Sequence, residues 1–181
     1  DMIDQLLEQI EASRTEDYEF ADRLHINAVS LRFELDHAAL MANTQARLHD
    51  LLNTVRQHDT VYKSAGTVHG CALFTGDTMQ IYVEDVGRHN AVDVIAGWLW
   101  MKGLVIGEDA VFYTTGRLTS EMVLKAAQMG IGVVVSRNGI TQMGYDLAQQ
   151  LGLCAIGRAK NKHYLVYTAH ERVLTDATAV T

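Results

Sequence analysis

The sequence has no proline, only two cysteines, and fewer basic than acidic residues, 15 Lys+Arg against 22 Asp+Glu in 181 positions. It also has no apolar run that approaches a membrane span. Average proline usage is about 5%, so a chain of this length should hold several, and their absence is expected to mean that proline-bearing loops are missing. Cys71 and Cys154 lie too far apart for a Cys-x-x-Cys redox or zinc motif and are too few for a disulfide framework. A bridge between them is not expected in a reducing compartment. Without about 20 consecutive apolar residues, and with Asp1-Met2-Ile3-Asp4 where a signal peptide would be basic and then apolar, the chain reads as soluble and cytoplasmic. A formal net charge of -7 opposes nonspecific attraction to nucleic acid or anionic lipid, yet leaves room for a local basic patch that binds one phosphate.

What is present is 48% hydrophobic content with 14 glycines, enough for one compact domain that buries roughly 70% of its unfolded surface. Ile3, Leu6, Leu7 and Ile10 sit at helical spacing ahead of the charged Arg14-Thr15-Glu16-Asp17, which predicts an amphipathic helix and a linker. A strand is expected over 28–33. Asp36 then suits the N-cap of a longer helix with Leu48, Leu51, Leu52 and Val55 on one stripe, ending before Ser64-Ala65-Gly66.

From Thr67 onward strands dominate. Apolar runs over 68–74 and 79–83 flank Thr75-Gly76-Asp77-Thr78 and predict a β-hairpin. A strand then feeds a helix three times. The first passage goes through Gly87-Arg88-His89-Asn90 into a helix that includes Trp98. The second goes through Thr114-Thr115-Gly116-Arg117 into a helix over 120–129 that stops at Gly130, and the third through Ser136-Arg137-Asn138-Gly139 into a helix ending at Gln150. Strands over 153–156 and 164–167 bracket a basic loop. Short apolar strands alternating with helices predict a mostly parallel sheet covered on both faces.

Loops leaving the carboxyl ends of parallel strands gather along one edge, where ligands bind in open α/β sheets. Gly87/Arg88, Gly116/Arg117 and Gly139/Arg137 are expected to line that edge beside helix N-termini, whose free N–H groups favour an anion. Such an edge suits a phosphorylated ligand. In the plainer alternative the glycines only make turns and the arginines pair with Glu84, Asp85 or Asp93. His89 is a candidate general acid or base oriented by Asp85 or Asp93, or equally a structural histidine beside Asn90 acting as N-cap. His69, inside an apolar strand, reads as a core or dimer-contact residue. His69-Gly70-Cys71 lacks the glutamate of a zinc deaminase and Cys154 stands alone, so no zinc centre is expected. The run Arg158-Ala159-Lys160-Asn161-Lys162-His163 sets three fixed positive charges and a histidine in an acidic protein. It fits a phosphate or an acidic partner, or is a solvated turn. Trp98, Trp100 and Met101 read as core or dimer contacts.

Several runs resemble the formate dehydrogenase accessory sulfurtransferase family (FdhD). They are Thr67-Val68-His69-Gly70-Cys71-Ala72-Leu73, the stretch Glu84-Asp85-Val86-Gly87-Arg88-His89-Asn90-Ala91-Val92-Asp93, and Thr115-Gly116-Arg117 with Ser120-Glu121-Met122-Val123 and Lys125-Ala126. The likeness covers about 64–168, and Asp-Val-Gly-Arg-His-Asn-Ala is its most specific part. It implies a three-layer α/β/α sandwich with a cytidine-deaminase-like mixed sheet, without the deaminase zinc, over 64–181, preceded by a helical segment over 1–63. It implies a homodimer that takes persulfide sulfur from a cysteine desulfurase and passes it to the bis(molybdopterin guanine dinucleotide) molybdenum cofactor of a formate dehydrogenase catalytic subunit. The non-catalytic alternative is a chaperone that binds the guanine nucleotide or the cofactor for the apo-dehydrogenase, with GDP as an analogue of the bound arm. By the same likeness the cofactor-binding stretch falls on Arg158, Ala159, Lys160, Asn161, Lys162 and His163, and its phosphates suit the edge formed by Gly87, Arg88, His89, Asn90, Gly116 and Arg117.

This chain departs from the family pattern at several points. Relatives commonly carry an aromatic at Arg158 and arginine at Lys160 and His163. Many carry proline at Gly132 and Ile140, and a small residue at Cys71. The family's persulfide cysteine lies in a Cys-x-x-Cys loop upstream of Gly66, and nothing here matches it.

Overall fold

In a computed structural model, which describes residues 43–58, 61–107, 110–160 and 163–174, the apolar runs form strands whose successive side chains enter two different cores. The elements are β1 (Asn43–Thr44), α1 (Gln45–His58), α2 (Val61–Ala65), β2 (His69–Thr75), β3 (Thr78–Asp85), α3 (Arg88–Lys102), β4 (Ala110–Thr114), α4 (Ser120–Gln128), β5 (Val133–Ser136), α5 (Gln142–Gln150), β6 (Cys154–Lys160), β7 (His163–Val166), a 3-10 turn (His170–Arg172) and β8 (Val173–Leu174). The helix expected around Ile3 to Ile10, the strand over 28–33 and the Asp36 cap lie outside the described residues. The helix expected to stop before Ser64 is instead followed by α2, which runs through Ser64 and Ala65 before Gly66 turns the chain at φ +66°.

The main sheet has the order β3-β2-β4-β5-β6-β7, and β1 pairs with β8 separately. β4, β5 and β6 are parallel neighbours, whereas β2 is antiparallel to both β3 and β4, and β7 to β6. The sheet is therefore mixed, not mostly parallel as the alternation of elements predicts. The cause is the two-residue turn Gly76-Asp77: Thr75 pairs with Thr78 and Gly76 adopts φ +57°, so β3 folds straight back along β2. β2 in turn is inserted between β3 and β4. The carboxyl ends of β3, β4, β5 and β6 thus meet the amino end of β2 along one edge.

Period-two alternation sorts the strand residues between the faces. Cys71, Leu73, Phe112, Val134 and Ala155 pack with Val92 and Ile95 of α3, Met122 and Val123 of α4, and Ala148 of α5. Ala72, Phe74, Val111, Tyr113, Val133, Val135 and Ile156 pack with the α1 stripe Leu48, Leu51, Leu52 and Val55. The result is a three-layer α/β/α arrangement, in which full burial of each α1 side chain contributes roughly 1.5–3 kcal/mol. Leu48, Leu51, Leu52 and Val55 of α1 thus belong to the same core as the strands.

Helices α4 and α5 start at threonine caps. Thr119 Oγ1 accepts from the Met122 N–H at 3.5 Å, and Thr141 Oγ1 from the Gly144 N–H at 3.1 Å. A Cβ on Gly144 would lie 2.6 Å from the Leu118 carbonyl oxygen, so this glycine is what lets α5 approach the entry to α4.

Candidate functional site

A pinned turn, Thr114-Thr115-Gly116, stands at the centre of the carboxyl edge. Thr115 and Gly70 exchange two hydrogen bonds, Gly70 N–H to Thr115 Oγ1 and Thr115 N–H to Gly70 O, each 2.9 Å. Thr114 Oγ1 accepts from the Gly116 N–H at 3.0 Å. Ser136 Oγ donates to Gly116 O and Asn138 Nδ2 to Thr115 O, both at 2.6 Å. The turn is held from both neighbouring strands. Cationic side chains gather on each side of it.

On the α1 side, Leu52, Val55, Arg56, Tyr113, Arg137, Ala159 and Lys160 enclose a cavity of about 120 Å³. Arg137 and Lys160 also border a wider cleft of about 370 Å³, together with Asn138, Gly139 and Arg158. No carboxylate among the described residues lines either space. The predicted basic loop begins later than expected, because Arg158, Ala159 and Lys160 belong to β6. Arg158 takes φ +52° and the β6–β7 register shifts between Gly157 and Lys160, a bulge that leaves Arg158 and Lys160 exposed and Ala159 buried. The Arg158 N–H donates to Asn138 O at 2.7 Å. A Cβ on Gly157 would run into the Tyr167 ring and Asn138 O, so the bulge requires glycine there. His163 is exposed at the start of β7, opposite Lys160. Asn161 and Lys162 lie outside the described residues.

On the α3 side, Asp85 Oδ1 accepts from the Gly87 N–H at 2.7 Å and from Asn90 Nδ2 at 3.0 Å. The carboxylate shapes the turn and does not orient His89. Asn90 is not the N-cap either, since Gly87 occupies that position with no side-chain cap. His89 Nε2 lies 3.2 Å from Glu121 Oε2, while Asp93 pairs with Lys125 at 2.8 Å and Lys125 reaches Glu121 at 3.1 Å. Arg88 lies along the turn: a Cβ on Gly116 would be 2.9 Å from Arg88 Cδ. Arg117 is exposed beyond it. His69, opposite Asp85 in the β2–β3 register, is half-buried. Burial, then the charges of Arg88 and His89, hold its imidazole below the ordinary value. His69 Nδ1 and Arg88 Nε are buried with no hydrogen-bond partner among the described residues. Reading strand exits alone omits His69, because β2 runs the other way. The hairpin register, which sets His69 against Asp85, was the available signal.

Cys71 and Cys154 are each 0% exposed, and burial pushes both thiols up to about 12. Cys71 Sγ donates to Thr114 Oγ1 at 3.4 Å. Arg172 draws the Cys154 thiol down, but burial outweighs it, and neither thiol is accessible as a reactive one must be. Among the described residues no group of His, Cys, Asp or Glu is placed to hold a metal ion, and no helix is long and apolar enough to cross a membrane.

Residues 19–174 match the FdhD/NarQ family. The chain is 34% identical over 125 residues to the sulfur carrier protein FdhD of Halalkalibacterium halodurans, covering 69% of this chain and 46% of that protein. It is 32% identical over 123 residues to the sulfur carrier protein FdhD of Bacillus subtilis, covering 68% of this chain and 47% of that one. A crystal structure of a candidate formate dehydrogenase accessory protein from Desulfotalea psychrophila superposes with a TM-score of 0.69 at 34% identity, over 75% of this chain and 58% of the other. The chain spans about half the length of the curated relatives it matches.

Proposed function

This chain belongs to the FdhD/NarQ family, and on that premise we propose that it holds a guanine-nucleotide arm of a bis(molybdopterin guanine dinucleotide) molybdenum cofactor while the cofactor is sulfurated for a formate dehydrogenase catalytic subunit. The cofactor is cargo here, and the work of this chain is binding and orientation. The carrying observation is the α1-side cleft, where the cationic side chains of Arg137, Arg158 and Lys160 stand beside the apolar Leu52, Val55, Tyr113 and Ala159. Cations at the rim suit a diphosphate, and a flat apolar wall suits a base. In this reading the protein is a cytoplasmic homodimer, and the sulfur arrives as a persulfide made by a cysteine desulfurase.

In this reading neither Cys71 nor Cys154 carries the persulfide, since both thiols are fully buried. That burial favours a second reading, in which the chain binds the cofactor for the apo-dehydrogenase without taking part in sulfur chemistry.

Calorimetric titration with GDP tests the binding that both readings share. Wild type is expected to bind, and Arg158→Ala combined with Lys160→Ala to weaken binding about 10- to 100-fold, the loss of charge-assisted contacts, with an unchanged thermal melt. Absence of GDP binding by wild type, or equal binding by the double variant, overturns the assignment.

A further inference from the structure

The two spaces on the α1 side share Arg137 and Lys160, which mark their boundary, but each also has lining residues of its own. Asn138, Gly139 and Arg158 border only the outer cleft of about 370 Å³, whereas Leu52, Val55, Arg56, Tyr113 and Ala159 border only the inner chamber of about 120 Å³. Leu52, Val55, Tyr113 and Ala159 are buried, and a phosphate driven in among them would lose water that they cannot replace. A purine ring loses little there, because its faces are apolar and stack on an aromatic wall while its hydrogen bonds lie in the ring plane. A nucleotide thus fits with its phosphates toward the outer cleft and its base inside. Arg56 is the chamber's own cation. It stands in the last turn of α1, one turn after Leu52 and on the same helix face. Its carbonyl oxygen accepts from Lys63 Nζ, which ties the end of α1 to α2 and holds the turn that carries Arg56.

We infer that Arg56 is a specificity-determining residue, which reads the O6/N7 edge of a guanine seated in the inner chamber. This role rests on the nucleotide reading above and adds to it the choice of base. A guanidinium offers parallel N–H donors that match the two acceptors of guanine, N7 and O6. Adenine carries an amino group in place of O6, which sets donor against donor. No carboxylate among the described residues lines the chamber to accept from the guanine N1–H and 2-amino group, so the choice of base falls to the edge with O6 and N7. Hypoxanthine keeps both acceptors and lacks only the 2-amino group. The chamber should accept it as it accepts guanine.

Calorimetric titration of the wild-type protein with GDP, IDP, 7-deaza-GDP and ADP tests this, repeated on Arg56→Gln and Arg56→Lys with a thermal melt of each. GDP and IDP are expected to bind alike, and ADP and 7-deaza-GDP about tenfold or more weakly, the worth of one bidentate base contact. Arg56→Gln should lose the preference for GDP over ADP, since glutamine suits adenine N6/N7, and Arg56→Lys should keep part of it. The role of Arg56 is refuted if ADP binds wild type as tightly as GDP, if IDP binds as weakly as ADP, or if Arg56→Gln keeps the wild-type ratio. Equal weakening of all four nucleotides by Arg56→Gln also refutes it, and makes Arg56 a contact to phosphate or a packing residue. A ratio that survives Arg56→Gln, in a protein whose GDP binding needs Arg158 and Lys160, removes the role of Arg56 and keeps the proposed function. A ratio that needs Arg56, in a protein indifferent to Arg158→Ala with Lys160→Ala, does the reverse. Failure of wild type to bind any of the four removes both. Should Arg56→Gln fail to fold, the wild-type order of the four nucleotides and Arg56→Lys still give the answer.

Discussion

A thiol reacts as its thiolate, and a group pushed up to about 12 is almost wholly protonated at neutral pH. Cys71 and Cys154 are also closed off, lying on opposite faces of the sheet in the two cores. Both are therefore expected to resist alkylation, and persulfidation by a desulfurase with cysteine, as long as the protein is folded, and both to react at once in denaturant. Intact-mass measurement before and after unfolding reads this directly, and native-state modification of either cysteine would restore it as a sulfur carrier. The sequence shows why such residues are hard to judge in advance. It presents two cysteines in apolar runs, which is the pattern of core filler, and it contains no accessible Cys-x-x-Cys to compare them with. His69 is the converse case. Apolar neighbours suggest a core residue, but its position at the open end of β2 sets it beside Arg88 and His89.

At the scale of elements, side-chain periodicity and the β2–β3 hairpin were readable, and the place of β2 between β3 and β4 was not. Helix α4 ends at Gln128, one residue short of expectation, because Gly130 at φ +79° marks its exit in the sequence as well as in space. α5 ends where predicted. Period-two alternation told which residues share a face, yet it is identical for parallel and antiparallel neighbours, so β2's insertion left no trace in it. The β6 bulge escaped for a related reason: a register shift at Arg158 has no hydrophobic signature. The close approach of α5 to the chain entering α4 yields a test. Gly144→Ala must push its Cβ against the Leu118 backbone oxygen, which cannot swing aside as a side chain would, and should cost about 1–3 kcal/mol. Denaturant melts of the two proteins measure it, and an unchanged midpoint would mean that α5 moves away freely.

For the whole molecule, the outer surface of α3 and the turn after it is the notable exposure. Trp100 is 84% exposed and Val105 96%, with Val94, Met101 and Leu104 nearby. Five large apolar side chains exposed between Val94 and Val105 are more than a surface usually scatters over so short a stretch. A second copy of the chain, packed through a two-fold axis, is expected to cover it. Light scattering should then give about twice 20.1 kDa, and Trp100→Asp should shift the balance toward monomer. A concentration-independent 20.1 kDa particle would remove the homodimer from the proposed function. Tryptophan and methionine at helical spacing already hinted at such a surface in the sequence, but only burial in the fold separates Trp98, which packs against the core, from Trp100, which does not.

The helix that, among the described residues, packs its apolar stripe on the far face of the sheet also sets a birth order. α1 is synthesised before every strand it covers, and its partners Val111, Tyr113, Val133, Val135 and Ile156 follow only after the whole of α3 has been made. At roughly 5–20 residues per second on the ribosome, several seconds separate the appearance of the Leu48-Leu51-Leu52-Val55 stripe from that of β6. During this interval the stripe waits in water, or against the ribosome or a holding chaperone, because the surface that will shelter it does not yet exist. The opposite face does not wait in this way, since α4 and α5 each emerge between the two strands they bridge.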